Sequence, residues 1–104
     1  MDGDDGTLLT PSETSGALAG TPFEQVDRML VGGYRTRDFV SAVQLLNAVT
    51  DAAEAAGHHP DVHLGWGRVS FELSSHDVGG VTPRDVRLAR QIDRIARELT
   101  AQPL

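Results

Sequence analysis

Apolar side chains recur at helical spacing in two long segments of the chain. The first segment predicts a helix from Asp38 to about Gly57, with an apolar face formed by Phe39, Val43, Leu46, Val49 and Ala53. The second predicts a helix that frays near Pro103, and its inward face carries Leu88, Ile92, Ile95 and Leu99. Its start is marked by an N-cap, a first-turn proline and a first-turn acid, which are Thr82, Pro83 and Asp85.

Alternating apolar and polar side chains predict strands in the rest of the chain. From Trp66 to Ser74 the alternation is regular, with a core-facing side formed by Val69, Phe71 and Leu73. A short strand is expected at His63 and Leu64, and a weaker one from Gly33 to Arg37. This order of elements indicates an α+β fold, a two-layer domain in which a small antiparallel sheet has helices packed on one face.

The N-terminal segment differs in composition from the rest of the chain. Residues 1 to 20 are rich in Gly, Ser, Thr and Asp and show no apolar period, so we expect a disordered acidic tail there. The folded domain is then expected to span residues 21 to 104. Thr21 and Pro22 resemble an N-cap and a first-turn proline, and they predict a short helix that carries Phe23, Val26, Met29 and Leu30 and ends near Gly32 and Gly33.

Length and composition limit the classes of protein to consider. With 104 residues the chain makes one domain, and the absence of cysteine excludes disulfides and thiolate chemistry. Neither a membrane-spanning apolar run nor a secretory signal is present in the sequence, so we expect a cytoplasmic protein.

The charge pattern argues against direct binding of nucleic acid. The net charge is −6, and all nine basic residues are arginines. Five of these recur at helical spacing in the last segment, namely Arg84, Arg87, Arg90, Arg94 and Arg97. Because Asp85, Asp93 and Glu98 lie among them, a solvated helix face is the favoured interpretation.

The segment from Glu54 to Asp85 concentrates the side chains that could carry chemistry. It contains His58, His59 and His76, and it also holds Trp66, whose ring could stack on a flat ligand. Glu54 and His58 are four residues apart, so on a helix they share one face. A helix end and a strand end could thus deliver three imidazoles to one cavity.

Several chemistries remain open for these histidines. Metal binding is possible for imidazole and carboxylate ligands, but His58 and His59 project in different directions and Pro60 follows them. Nucleophilic catalysis by Ser74 or Ser75 is less favoured, because no nucleophile elbow is present. General acid–base catalysis fits best, since imidazole titrates near neutral pH and Glu54 could orient one ring. For any single histidine a capped helix end or surface turn is an ordinary alternative, and His63 is interpreted as a surface residue.

The same residues carry a family resemblance. Their order and spacing resemble the signature of the pterin-4a-carbinolamine dehydratases, also called 4a-hydroxytetrahydrobiopterin dehydratases; the matching positions are Glu54, His58, His59, Pro60, Trp66, His76 and Asp85. The surrounding sequence segments HHPDV and SHDVGGVTPRD are similar to the family as well, so the resemblance covers about residues 35 to 96.

The resemblance implies a fold, an assembly and a reaction. It implies a two-layer α+β domain that forms a homodimer or homotetramer, and loss of water from a 4a-hydroxytetrahydropterin to give quinonoid dihydropterin. By this likeness His58, His59 and His76 line the pterin site and divide the acid and base roles, without a metal or redox cofactor. The remaining positions would support or contact the substrate, namely Glu54, Trp66, Ser74, Ser75 and Asp85.

One difference from the family pattern suggests an alternative function. Members of the family that the chain resembles usually carry a Gly-Trp strand before the second strand, whereas residues 21 to 37 contain no Trp and only Tyr34. This difference favours a sheet that lacks its first strand and leaves an edge for a neighbouring subunit to cover. A non-catalytic, oligomeric interaction or assembly module is therefore the alternative to the enzyme.

Overall fold

The computed structural model describes residues 3 to 104, which form three α-helices and five strands. A short 3₁₀ turn at Gly3–Gly6 is followed by α1 (Pro11–Ala17), β1 (Glu24–Val26), β2 (Met29–Arg35), α2 (Phe39–Ala56), β3 (Asp61–Gly65), β4 (Arg68–Leu73), α3 (Pro83–Glu98) and β5 (Gln102–Pro103). No helix within the described residues is long and apolar enough to cross a membrane.

The strands form one antiparallel sheet in the order β1-β2-β4-β3, and β5 pairs with the end of β2. In the central pair Leu30 lies opposite Leu73 and Tyr34 opposite Val69. Helices α2 and α3 contact each other and cover the sheet face that carries the buried side chains of β4. The predicted two-layer α+β fold is therefore confirmed.

The core lies between the two long helices and the sheet. Val69, Phe71 and Leu73 of β4 are all buried, as the alternation predicted. Tyr34 makes edge-to-face contacts with the ring of Phe23 and with that of Phe71. Leu88 and Ile92 of α3 are buried as expected.

The inward face of α2 is rotated from the predicted one. Val49 and Ala53 are buried as predicted and Leu46 packs against the core partly buried, but the other fully buried positions are Ala42 and Leu45. Phe39 is 47% exposed because it is the first residue of the helix and lies beyond the core. Leu99, which was expected to face inward, is likewise exposed because α3 ends at the residue before it.

The prediction of a helix after Pro22 is wrong, because this segment is a β-hairpin. Strands β1 and β2 are joined by the two residues Asp27 and Arg28, and Asp27 adopts the left-handed backbone with φ 54°. Gly32 does not end a helix: a Cβ there would lie 2.6 Å from the Phe23 ring, so glycine permits close packing within a strand. The expectation that the first strand is missing is thus also wrong.

The prediction of a disordered tail is wrong for the segment around α1. Thr10 caps this helix through a reciprocal capping box with Glu13, and Pro11 occupies the first turn. Leu18 is buried in the core, and the buried Thr14 hydroxyl donates to Gln25 Oε1 at 2.9 Å. The capping residues are present in the sequence, but α1 lacks the apolar period that predicts a helix. The first two residues of the predicted tail lie outside the described residues.

Candidate active site

Three of the four histidines line one open cleft. The cleft has a volume of about 300 Å³ and lies where the end of α2, the end of β4 and the start of α3 meet. Its lining residues are Gly57, His58, His59, Ser74, Ser75, His76, Asp77 and Arg84. The predicted convergence of a helix end and a strand end is therefore observed.

The end of α2 sets the directions of the first two histidines. Gly57 caps the helix in the left-handed conformation with φ 63°, and its N–H donates to the carbonyls of Ala53 and Glu54. The chain leaves the helix axis at this glycine, before His58 and His59. Glu54 and His58 consequently do not pair, although their spacing suggested a shared helix face.

His58 lies against a buried carboxylate. Its Nε2 is 2.5 Å from Asp85 Oδ1, and because an ionised carboxylate only accepts hydrogen bonds, Nε2 carries the hydrogen. Asp85 is completely buried, and its other oxygen accepts from Ser75 Oγ at 2.8 Å and from the Thr82 N–H at 2.9 Å. The Asp85 carboxylate therefore fixes both the orientation and the tautomer of the His58 ring.

Asp85 owes its position to the start of α3. It is the third residue of the helix and forms a capping box with Thr82, so its negative charge lies at the positive end of the helix dipole. The predicted N-cap at Thr82 is thus confirmed. Because its oxygens are taken by protein groups, Asp85 contacts His58 and not the cleft directly.

His59 has its own carboxylate partner at the surface. Its Nε2 lies 2.6 Å from Glu54 Oε2, and the two side chains are 61% and 71% exposed. The expectation that Glu54 orients a histidine fits this contact, although the ring is that of His59. In contrast to the buried pair of His58 and Asp85, this pair remains in contact with solvent.

His76 enters the cleft from a tight turn. The turn follows β4 and is closed by a β-bridge between Ser75 and Gly80, with His76 at its first position. Ser74 also lines the cleft and is half-buried. Ser75 is buried and its hydroxyl donates a hydrogen bond to Asp85, so its side chain helps to hold the carboxylate that contacts His58.

Trp66 does not belong to this cleft within one chain. It lies in the turn between β3 and β4, is 72% exposed, and is therefore neither a core residue nor the start of the core strand. The six residues of β4 separate this turn from Ser74, which corresponds to about 20 Å at the rise of a strand. The prediction that Trp66 lines the site is not supported by this geometry.

His63 lies outside the cleft on β3, 69% exposed and 3.5 Å from Glu72 Oε2. The interpretation of His63 as a surface residue therefore agrees with the structure. Among residues 3 to 104, no group of three or more His, Asp or Glu side chains is placed to hold a metal ion.

Arg84 and Asp77 lie at the rim of the cleft but are not among the site residues predicted from the sequence, which assigns Arg84 to a solvated helix face. Arg84 Nη2 donates to Asp77 Oδ1 at 2.8 Å, and this hydrogen bond lowers the pKa of the Asp77 carboxyl below its usual value. The sequence carries no direct signal for this pair, because the two residues are seven positions apart and meet only through the turn after β4.

The arrangement suits proton transfer. Three imidazoles face one solvent-accessible space, and two of them have a carboxylate behind the ring. A ring whose orientation is held by a carboxylate is suited to act as a general acid or base. The Ser75 hydroxyl, next to His76, does not form a nucleophile–base pair with it, since it donates to Asp85.

Comparison with known proteins identifies the family of this chain. The family model described as pterin 4 alpha carbinolamine dehydratase matches residues 7–95. A protein from Thermosynechococcus vestitus is 39% identical over 89 residues, which cover 85% of this chain and 94% of the relative. One from Nocardia farcinica is 51% identical over 63 residues, or 61% of this chain and 66% of the relative. Both are named as pterin-4-alpha-carbinolamine dehydratases, with the activity marked as provisional.

Solved structures share the fold. The crystal structure of a transcriptional coactivator/pterin dehydratase from Brucella melitensis has a TM-score of 0.79 and 31% identity, and covers 86% of this chain and 99% of its own. A pterin dehydratase-like protein identified as a RuBisCO assembly factor in the alpha-carboxysome has a TM-score of 0.60 and 18% identity, and covers 77% of this chain and 93% of its own. At this identity the likeness is evidence for the fold alone. The chain belongs to the pterin 4 alpha carbinolamine dehydratase family.

Proposed function

We propose that this chain catalyses the loss of water from a 4a-hydroxytetrahydropterin, giving quinonoid dihydropterin. The observation that carries the proposal is the meeting of His58, His59 and His76 on one cleft. Family membership supports the same reaction class. The proposal places the enzyme in pterin recycling after an aromatic amino acid hydroxylase, and its cytoplasmic location remains a prediction.

The reaction needs two proton transfers and no change of overall oxidation state. A carbinolamine loses water when its C–O bond breaks and a C=N bond forms to the neighbouring nitrogen. One proton must reach the departing hydroxyl, and the nitrogen must give up another. A charged imidazole can supply the first and a neutral imidazole can accept the second.

We assign the base role to His58. Asp85 holds the ring by its Nε2–H, so the lone pair for accepting a proton is on Nδ1. The negative charge behind the ring balances the positive charge that His58 gains on protonation. Because Asp85 is completely buried, this arrangement is kept rigid by the start of α3.

We propose that His76, which lies across the cleft at the end of β4, donates the proton to the leaving hydroxyl. His59, held by Glu54, then completes the wall of the site and orients the substrate. Ser74 and the backbone of Ser75 are positioned to offer polar groups to a flat heterocycle at the same wall. After the reaction His58 has gained one proton and His76 has lost one, and solvent restores both.

Single substitutions of the three histidines test this proposal. The rate of dehydration is measured in a coupled assay with a pterin-dependent hydroxylase for His58→Ala, His59→Ala and His76→Ala. General acid and base groups each contribute about 10² to 10⁴-fold, so we expect losses of this order for His58 and His76. The matched control is His63→Ala, an exposed histidine outside the cleft, which should keep full activity. Full activity of His76→Ala would rule out its catalytic role.

A non-catalytic interaction module is the second candidate, and exposed apolar side chains support it. Trp66, Phe39 and Val40 are 72%, 47% and 63% exposed. They lie at the same end of the domain, since the amide of Thr36, just before α2, donates to the Gly67 carbonyl at 2.8 Å. Calorimetry with a reduced pterin separates the candidates, because a module without a site would show no binding at about millimolar concentration.

We further propose that the protein is a homodimer or homotetramer. The same exposed apolar side chains are the surface expected in a subunit contact. A missing first strand does not support this assembly, because β1 and β2 form a complete hairpin. Sedimentation equilibrium at micromolar concentration should give a multiple of 11.1 kDa, and a mass equal to that of one chain would contradict the proposal.

A further inference from the structure

An ion pair at the rim of the cleft joins the turn after β4 to the first turn of α3. Arg84 Nη2 donates to both oxygens of Asp77, at 2.8 Å and 3.1 Å. The Arg84 Nε also lies 3.4 Å from the buried Thr82 hydroxyl. The guanidinium therefore has partners on both of the elements that it connects.

The turn that receives this ion pair is the one that carries His76. The carbonyl of Ser75 accepts from the amides of Val78, Gly79 and Gly80, at 3.2, 2.9 and 3.3 Å, and Gly79 closes the turn with φ 72°. His76 is the first residue inside this loop. Its position in the cleft is thus set by the path of the turn.

The neighbours of His76 on both sides are tied to α3. On one side the Ser75 hydroxyl donates to Asp85 Oδ2 at 2.8 Å and also contacts Thr82 Oγ1. On the other side the carboxylate of Asp77 is held by Arg84. The Ser75 contacts are completely buried, whereas Asp77 is 61% exposed, so only the Arg84 contact can be removed without disturbing the core.

Within residues 5 to 104, whose side chains the structure describes, the His76 ring makes no hydrogen bond. This distinguishes it from His58 and His59, each of which has a carboxylate behind its ring. A ring without a partner of its own depends on its backbone for placement. The contacts of Ser75 and Asp77, which fix the backbone on both sides of His76, therefore determine where this imidazole lies.

The location of Arg84 argues against a purely stabilising role for the pair. A cation in the first turn of a helix is opposed by the helix dipole. An ion pair that is largely exposed on one side contributes little to the stability of the fold. A local function at the cleft accounts for an arginine at this point better than stability does.

We propose that Arg84 and Asp77 are positioning residues that hold the turn so that His76 reaches the substrate in the geometry for proton donation. The proposal rests on the catalytic role of His76 proposed above. Neither residue of the pair donates a proton in the reaction. Misplacement of a catalytic group by about 1 Å can cost about 10²-fold in rate, so loss of the pair should reduce kcat about 10- to 100-fold.

The test is a double-mutant cycle with His76. Dehydration is measured for Asp77→Asn, His76→Ala and the combined variant, with kcat and KM determined separately. Asp77→Asn removes the charge of an exposed side chain with little change of shape, so the fold should be kept, and thermal unfolding verifies this. We expect Asp77→Asn to lower kcat with little change in KM, and to have no further effect once His76 is alanine.

Arg84→Gln and Arg84→Lys examine the other half of the pair. The lysine variant keeps the positive charge and should recover part of the kcat that the glutamine variant loses. Arg90→Gln is the matched control, since Arg90 lies exposed on the same helix outside the cleft and should leave kcat unchanged.

The outcomes separate this inference from the proposed function. Equal loss of kcat from Asp77→Asn with and without His76, or no loss in either background, overturns the positioning role while the dehydratase proposal stands. Full turnover of His76→Ala alone overturns the catalytic assignment of His76 and, with it, the positioning role.

Discussion

Replacing Asp85 by asparagine should separate stability from catalysis at the His58 ring. In the wild type the carboxylate accepts three hydrogen bonds, from Ser75, from the Thr82 N–H and from His58. An asparagine side chain has nearly the same shape but keeps only one acceptor oxygen, and its other group is an NH₂ donor. The asparagine amide therefore cannot accept hydrogen bonds from all three donors, and its orientation decides which donor loses its acceptor.

The two orientations of the amide differ in cost. If its oxygen faces His58, the NH₂ group points at the Thr82 N–H, and a buried donor left without a partner costs about 1–3 kcal/mol. If its oxygen faces Ser75 and Thr82, their hydrogen bonds survive and the NH₂ group faces His58 Nε2. The second orientation requires only that His58 move its hydrogen to Nδ1, so it should be preferred.

The expected loss of stability is therefore modest. Hydrogen bonds to a neutral amide replace bonds to a charged carboxylate, and the favourable interaction with the helix dipole is lost, for a total of about 1–3 kcal/mol. This is smaller than the stability of about 5–15 kcal/mol that is typical of folded domains, so the variant should fold. Its His58, however, carries the hydrogen on the nitrogen that should accept the proton, and turnover should fall about 10² to 10⁴-fold.

The measurements are urea unfolding and the rate of dehydration by Asp85→Asn. Asp93→Asn is the matched control, because Asp93 is also buried on α3 and accepts from the Tyr34 hydroxyl at 2.8 Å and from Arg97 Nε at 2.7 Å. It lies outside the cleft, so the control should lose comparable stability and keep its turnover. Folded Asp85→Asn with undiminished turnover would refute the role assigned to this carboxylate.

The buried core and the exposed turn between β3 and β4 can be tested by three measurements of stability. Burial and the hydrogen bond to Asp93 raise the pKa of Tyr34 well above its usual value near 10; the hydroxyl thus stays neutral in the folded protein, and the free energy of unfolding should fall by about 1.4 kcal/mol per pH unit above pH ~10. Since this is the single tyrosine, phenolate absorbance appearing in alkali before unfolding would contradict the prediction. Gly32→Ala, whose Cβ would meet the Phe23 ring at 2.6 Å, should lower stability by about 1–3 kcal/mol in urea unfolding, and an unchanged midpoint would show that the ring has room to move. Trp66→Ala should cost less than about 1 kcal/mol at a concentration where the protein is monomeric, because the ring is 72% exposed; a larger loss would place Trp66 in a contact outside the single chain.

The parts of the fold that could be predicted from the sequence are those with a regular apolar period. Both long helices and the strand β4 were recognised from this pattern, and Thr82 was recognised as an N-cap from the residue types around it. The β1–β2 hairpin was mistaken for a helix, because its turn has Asp27 in a left-handed conformation where glycine is the usual signal. Helix α1 was missed because it is short and buries only Thr14 within its span.

The sequence predicts which histidines form the candidate site better than it predicts the hydrogen bonds that they make. The meeting of His58, His59 and His76 followed from the positions of a helix end and a strand end. Which carboxylate serves which ring could not be predicted, since the left-handed cap at Gly57 redirects the chain and tertiary packing brings Asp85 to His58. Trp66 is predicted in the site from its aromatic ring and from the family resemblance, and neither of these indicates which end of a strand faces the cleft.

The most direct test of the central claim uses a 4a-hydroxytetrahydropterin without any hydroxylase. The compound is mixed rapidly with the protein, and its decay to quinonoid dihydropterin is followed by absorbance at several protein concentrations. The account predicts a decay rate that rises in proportion to wild-type protein, and a spontaneous rate only with the variant in which His58, His59 and His76 are all alanine. Equal acceleration by both proteins, or no acceleration by the wild type, would contradict it.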